Sequence, residues 1–326
     1  MAGSVLVCGG AGYIGSHMAR LLAENGYDVT VFDNLKTGYR AAVRWGRFVA
    51  GDLLDPAALK ELFASKRFEV VFHFAGLISV AESVAQPAAY YRNNVEGTLN
   101  LLAAMQAAAV ERIVFSSTAA VYGNPISDVI DESHPKAPIN PYGWSKRMVE
   151  QILADYAAAY GLRSVCFRYF NAAGAHPDGT MGEAHDPETH LVPNALRVAQ
   201  GELPELRVFG RDYGTPDGTC VRDYVHILDL CAAHLAAIDW MNQTPGASIF
   251  NLGSGSGFSI LDVIRTVAAV TGKPVPHSFG ERRAGDAATL VADSRLARER
   301  LGWKPAFADL ASIVETAWRW QQNRAY

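Results

Sequence analysis

Tyr142 and Lys146 stand four residues apart, about one helical turn, so a helix across them sets the phenol and the ammonium on one face. A neighbouring cation favours phenolate and draws a tyrosine from its usual pKa of about 10 towards the working pH. Such a pair can act as a general base on an alcohol. Beside a nicotinamide it would serve reversible alcohol–ketone chemistry. Ser116, Ser117 and Thr118 close an apolar run, and a hydroxyl there could hold a sugar hydroxyl or carbonyl. The plain alternative is a turn at a strand end. Tyr and Lys at this spacing also arise by chance, so the elements that carry them must decide.

A nicotinamide site is suggested at the other end of the chain. Gly9, Gly10, Gly12 and Gly15 lie between an apolar strand and a helical pattern, where glycine permits a tight turn and the close approach of a pyrophosphate. A second strand pattern ends at Asp33, 18 residues beyond Gly15, where a carboxylate can hold both ribose hydroxyls. No Arg follows it directly, and the nearest cations are Lys36 and Arg40, which favours NAD over NADP. Asp52 could reach an adenine amino group or merely cap a turn. Phe74, Ala75 and Gly76 could let backbone approach the cofactor or form a simple strand-end turn.

Short β-branched runs alternate with helical patterns through the first half, as in crossover units on a parallel sheet. Residues 5–8, 29–33, 47–50, 70–73, 112–116 and 163–169 read as strands; 14–24, 88–109 and 142–160 read as helices. Pro141 opens the last of these and Gly161 closes it. Residues 174–189 lack periodicity and read as an ordered loop, 223–240 as a helix, and 249–252 as a strand returning to the first sheet. The expected fold is α/β. A doubly wound parallel (Rossmann) sheet occupies 1–172, joined by about 221–255, and a smaller mixed α/β substrate unit lies in 173–326.

The 326 residues are nearly half apolar with a net charge of −4, an ordinary globular profile. No basic run suggests nucleic acid, and no segment reads as a signal peptide or membrane span. Cys8, Cys166, Cys220 and Cys231 form no CxxC pair and read as reduced thiols of a cytoplasmic protein.

Taken together, these residues resemble the extended short-chain dehydrogenase/reductase family. The shared stretches are Gly9–Gly15, Asp33–Leu35, His73–Leu77, Asn93–Val95, Pro141–Lys146, Arg168–Asn171, Val221–His226 and Asn251–Gly253. Gly174–Pro177 and Arg282–Asp286 are similar to the branch that epimerises UDP-hexoses at C4. The resemblance implies a tightly held NAD and Tyr142 as acid and base. Lys146 would tune the phenol and hold the nicotinamide ribose, with Ser116 and Thr118 as the hydroxyl positions. It assigns Gly9, Gly12, Tyr13, Ile14, Gly15, Asp33, Asn34, Asp52, Leu53, Phe74, Ala75, Gly76, Asn93, Ser116 and Tyr169 to the cofactor. Thr118, Tyr142, Asn171, His190, Leu191, Phe209, Arg222, Arg283, Asp286 and Leu290 fall to the UDP-hexose, the two guanidiniums near its pyrophosphate. It also implies a homodimer.

Related dehydratases carry Asp-Glu directly after the threonine. Ala119 and Ala120 stand there, and methyl groups move no protons, so epimerisation of UDP-glucose and UDP-galactose is expected over elimination. Ile78 replaces a lysine that helps bind cofactor phosphates, and His190 replaces an asparagine near the UDP. Leu290 sits where side-chain size governs N-acetylated sugars, leaving UDP-GlcNAc and UDP-GalNAc open; its bland role is strand packing. A net NAD-dependent oxidoreductase and a non-enzymatic NAD sensor are the competing classes. His185, Asp186, Glu188 and His190 read as a polar loop, and no metal is expected.

Overall fold

The computed structural model of the chain describes residues 3–283 and 286–326. Ala284 and Gly285, within the Arg282–Asp286 motif, lie outside the described residues. In chain order the strands are β1 (Ser4–Cys8), β2 (Asp28–Asp33), β3 (Arg47–Ala50), β4 (Val70–His73), β5 (Arg112–Thr118), β6 (Val129–Ile130), β7 (Arg163–Tyr169), β8 (Asn171–Ala173), β9 (Leu206–Phe209), β10 (Val221–His226), β11 (Ala247–Leu252), β12 (Gly257–Ser259), β13 (His277–Gly280) and β14 (Thr289–Ala292).

Seven of them form one parallel sheet in the order β3-β2-β1-β4-β5-β7-β11. Its strands are apolar on both faces because helices cover both. Val5 and Val7 of β1 face a layer with Met18, Leu22, Phe72 and Leu230. Leu6 and Cys8 face the opposite layer with Leu59, Leu101, Phe115 and Val149. Strand order reverses between β1 and β4, which opens a crevice at their carboxyl ends. The glycine turn and the Phe74–Gly76 segment both emerge there.

Two sequence expectations change. Residues 223–226 are strand, not helix, and the helix spans Ile227–Gln243. Their partners are remote in sequence: β10 pairs with β8, β12 and β14, so ladder bonds override a helix-compatible local pattern. Of the 221–255 stretch, β10 belongs to this smaller sheet, while β11 extends the large one beside β7. The expected helix over 88–109 is a continuous helical path in three parts. A wider π turn, Tyr91–Glu96, separates Pro87–Tyr90 from Gly97–Ala107. Such turns recur at functional sites, and this one carries Asn93 and Asn94.

Helix Pro141–Tyr160 has both of its expected ends. The Asn140 side chain accepts the Gly143 N–H at 2.8 Å, Pro141 occupies the first turn, and Gly161 adopts φ 74°. Left-handed backbone at that position suits glycine. The cap fixes where the helix begins, and therefore where Tyr142 and Lys146 point.

Candidate active site

Tyr142 and Lys146 project from the first turns of helix Pro141–Tyr160 over the carboxyl end of β5. Lys146 is buried, and its Nζ donates to the Ser116 carbonyl at 2.8 Å. The ammonium lies 4.9 Å from the Phe115 ring centre and 6.0 Å from that of Tyr142. Burial lowers its pKa to about 8. Thr118 and Tyr169 are register partners on β5 and β7, so two hydroxyl groups from adjacent strands meet the phenol at the sheet edge. Burial raises the Tyr142 phenol above its ordinary value, and hydrogen bonding with Thr118 opposes that rise. Desolvation of the phenolate is thus the larger of the two effects, while the Lys146 ammonium is anchored by the Ser116 carbonyl.

Buried polar groups hold this corner in place. One turn beyond Lys146, the Glu150 carboxylate accepts Ser117 Oγ at 2.6 Å and takes Arg168 on both oxygens. Arg168 also donates to the Tyr122 hydroxyl at 3.0 Å, which donates to Asn251 Oδ1 at 2.6 Å. From the π turn, Asn94 accepts the Leu77 N–H at 2.8 Å and donates to Ser145 Oγ at 3.0 Å. It ties the loop after β4 to the catalytic helix. Glu150 was missed in sequence, one turn beyond the Pro141–Lys146 stretch, and Asn94 was part of the Asn93–Val95 stretch without a role of its own.

The residues expected at the cofactor line the crevice. A Cβ at Gly9 or Gly15 would strike backbone of Ala75 or of Gly9 itself, while one at Gly12 would find only the Gly9 carbonyl, 3.4 Å away. Gly9 and Gly15 thus close the turn, and Gly12 leaves the open ground a phosphate needs. Asp33 braces the turn, accepting the Ala11 N–H at 2.9 Å and the Leu35 N–H at 2.8 Å. Asn34 donates to Asp52 at 2.9 Å. Leu53 is buried, Ile14 is half-buried, and Asn93 donates to Asn94 at 3.0 Å. The Tyr13 hydroxyl donates to the Gly174 carbonyl at 2.6 Å, which joins the turn to the second half of the chain. The Tyr169 phenol is buried beside Ser116 and Tyr142, at the strand end where a nicotinamide would lie. These residues fit a dinucleotide.

Of the residues expected at the UDP, Asn171, Arg222 and Leu290 lie on the smaller sheet. Arg222 and Leu290 are register partners on β10 and β14. Asn171 on β8 sits beside β10 and donates to the Asp223 carbonyl at 2.8 Å. Arg222 donates to the Val221 and Ala287 carbonyls, both at 2.9 Å, and lies 3.5 Å from Asp286. It does not pair with Asp223, its plain alternative. That carboxylate is buried and accepts N–H groups of Ser254, Gly255 and Ala292. On the ribbon of β9 and β13, the Arg283 guanidinium stacks 3.9 Å above the Phe209 ring. Leu290 packs with Ala119 and Phe170 against Val121, Tyr122 and Ile130, beside the catalytic strand end. His190 and Leu191 form the start of helix Leu191–Gln200, where Glu183 and Glu188 hold the His190 ring.

A parallel sheet with a glycine-braced crevice, and a Tyr-Lys pair at its edge, is the make-up of a dinucleotide-dependent enzyme of the extended short-chain class. Residues 5–253 match the NAD dependent epimerase/dehydratase family, and the chain belongs to it. It is 49% identical over 321 residues to the UDP-glucose 4-epimerase of Rhizobium meliloti, covering 98% of each. The Brucella ovis UDP-glucose 4-epimerase, solved with NAD, is 50% identical with a TM-score of 0.95, over 97% of this chain and 98% of that one. The Bifidobacterium longum enzyme, solved with NAD+ and UDP, is 40% identical with a TM-score of 0.94, over 98% of both. Among the described residues no helix is long and apolar enough to cross a membrane.

Proposed function

We propose that the chain reversibly epimerises a UDP-hexose at C4, interconverting UDP-glucose and UDP-galactose. The observation that carries this reading is the turn Ala119–Tyr122 beside Tyr142. Its first two side chains are methyl groups, and the Ala120 carbonyl faces Gly143 at the start of the catalytic helix. A base and its hydroxyl partner are present, and the two positions directly after Thr118 carry alanine, whose methyl groups cannot drive elimination.

Tyr142 removes the proton from the sugar 4-hydroxyl and later returns it, with Thr118 bonding both the phenol and the sugar oxygen. NAD held in the glycine-braced crevice would supply the hydride exchange at C4, and its positive nicotinamide ring would favour the phenolate that burial alone disfavours. Lys146 holds its charge near the phenol and offers its remaining donors to a ribose. The 4-keto sugar must present both faces, so binding energy belongs on the UDP. Arg222, Arg283, Phe209, Asn171, Asp286, His190 and Leu191 supply it, with guanidinium forks on the pyrophosphate. Residues 1–172 with most of 221–255 serve as the cofactor unit and the rest of 173–326 as the UDP-sugar unit.

The test is to incubate the purified chain with UDP-galactose without added NAD. UDP-glucose should form with no net change at the NADH absorbance. Net NADH formation, or a dehydrated product, would count against epimerisation. Tyr142→Phe should nearly abolish turnover while UDP still binds; retained turnover would remove Tyr142 from the mechanism. Leu290 supports a second substrate pair, UDP-GlcNAc and UDP-GalNAc, because leucine leaves more room than tyrosine beside Ala119. The same reading places the enzyme in the cytoplasm and in galactose use; normal growth on galactose after deletion of its gene would oppose that.

A homodimer has its own support. Trp144 and Met148, one turn apart on the catalytic helix, are exposed, as are Val80 and Val84 on the helix Val80–Ala85 that packs against it. An apolar patch of this kind marks an interface. Sedimentation should give a dimer that Trp144→Arg converts to monomer. A monomeric wild type would refute the pairing.

A further inference from the structure

The loop before helix Leu191–Gln200 turns four donor side chains onto one another: Glu183, His185, Glu188 and His190. One ligand atom from each lies within 4.8 Å of all the others. His190 Nδ1 is 2.9 Å from Glu183 Oε1 and 3.0 Å from Glu188 Oε1. His185 Nδ1 is 3.3 Å from Glu183 Oε1 and 3.6 Å from Glu188 Oε2. Nitrogen and oxygen ligands about 2.1 Å from a tetrahedral ion stand roughly 3.4 Å from each other, and these separations bracket that value. The sequence grouped Asp186 with His185, Glu188 and His190; the fold puts Glu183 in its place.

Two features separate this group from an ordinary surface cluster. Both carboxylates are buried, at 7% and 6% side-chain exposure, and two such charges so close demand compensation. One divalent ion with two neutral imidazoles supplies it. Second, His185 Nδ1 is buried midway between two carboxylate oxygens, 3.3 and 3.6 Å away, without a well-aligned hydrogen bond to either, the placing of a ring nitrogen that shares an ion with them. A cavity of 390 Å³, lined by Tyr39, His185, Glu188 and Arg197 among others, opens onto the group and gives an ion a path in.

We propose that Glu183, His185, Glu188 and His190 bind one divalent transition-metal ion of the zinc class. Two imidazole nitrogens with two carboxylate oxygens suit zinc, and four protein ligands make a closed, structural site. The ion clamps the loop onto the start of helix Leu191–Gln200. It also reaches the glycine turn, because the His185 ring meets the Tyr13 ring edge-on with centres 6.4 Å apart. The proposal is independent of which sugar is epimerised.

The test uses the purified full chain, stripped by a chelator and titrated with Co2+ and then Zn2+. Visible absorption and calorimetry follow the binding. The wild type should bind one ion per chain, show the intense visible bands of tetrahedral cobalt, and release cobalt to zinc. Its thermal midpoint should rise with zinc. His185→Ala and Glu183→Gln, each checked for native circular dichroism, should bind at least tenfold more weakly and lose the thermal shift. Absence of saturable binding or of the tetrahedral bands in the wild type overturns the proposal without reference to either variant. Unchanged binding in both folded variants overturns it equally, leaving a cluster of ion pairs alone.

Discussion

Glu150 receives Arg168 through two parallel hydrogen bonds, 2.8 Å from Nε to Oε1 and 2.7 Å from Nη2 to Oε2. Both side chains are at most 1% exposed. One belongs to the catalytic helix and the other to β7, immediately before Tyr169. The pair therefore locks the helix that carries Tyr142 and Lys146 to the strand that carries the second phenol.

Breaking that pair leaves a buried charge without its partner, which costs about 3–5 kcal/mol. Glu150→Gln and Arg168→Met should each lower the urea midpoint by a corresponding amount. Glu150→Gln combined with Arg168→Met should cost less than the two losses together, because no charge then remains. Strictly additive losses in that double variant would show that the two side chains act separately.

The proposed role of Lys146 has a specific signature. Lys146→Met removes the cation near a phenol that burial already raises and leaves the Ser116 carbonyl without its donor. Turnover should fall by about two orders of magnitude or more, and the rising limb of the pH–rate profile should move to higher pH. A slower enzyme with an unmoved profile would assign Lys146 to cofactor binding alone.

Acid should unfold the protein steeply. His17, His73, His226 and His234 are buried, and burial lowers their pKa values to about 4, 3, 3 and 4, with Lys146 adding to the effect on His73. Above about pH 6.5 these rings are neutral in both states and impose no penalty. Below it the unfolded chain takes up protons that the folded chain refuses, so stability falls with pH until the folded values are reached. Each group removes up to about 1.4 kcal/mol per pH unit, roughly 5 kcal/mol per unit for four. His234, packed among Phe74, Phe167 and Tyr169, offers the check. His234→Phe should lower the proton uptake on acid unfolding by about one, and an unchanged slope would contradict this account.

Leu290 should set the tolerance for a bulky 2-substituent. It packs with Ala119 and Phe170 and is the register partner of Arg222, so its size alters room between the base and the UDP anchor. Leu290→Ala should raise kcat/KM for UDP-GalNAc relative to UDP-galactose by about tenfold, and Leu290→Tyr should lower it, a typical span for a few carbons in an apolar pocket. A ratio indifferent to both changes would confine Leu290 to strand packing.

Local signals made much of the large sheet legible. The run from Val5 through the glycines to Asp33 is strand, turn, helix and strand within one crossover unit, and each step has its own residue signature. The same holds for Asn140, Pro141 and Gly161, whose cap and left-handed exit are properties of three residues. Strand β10 was not legible, because its ladder partners lie from 34 to 68 residues away. Glu150 was hidden for a related reason. A single acid on a helix acquires meaning only when β7 brings Arg168 across to it.

Sequence by itself determined which groups could react: a phenol and an ammonium one turn apart, a hydroxyl at a strand end, two alanines where acids would stand, and a glycine turn braced by an acid. Those are chemical identities and short spacings, and they survive without knowledge of the fold. Only the tertiary structure decided how the groups are charged and whom they meet. Burial raises Tyr142 and lowers Lys146, and parallel pairing sets Thr118 beside Tyr169. Chain folding brings Arg222 opposite Leu290 and closes Glu183 onto His185 and His190. Desolvation and long-range pairing depend on what surrounds a side chain, and that is written in the whole chain at once.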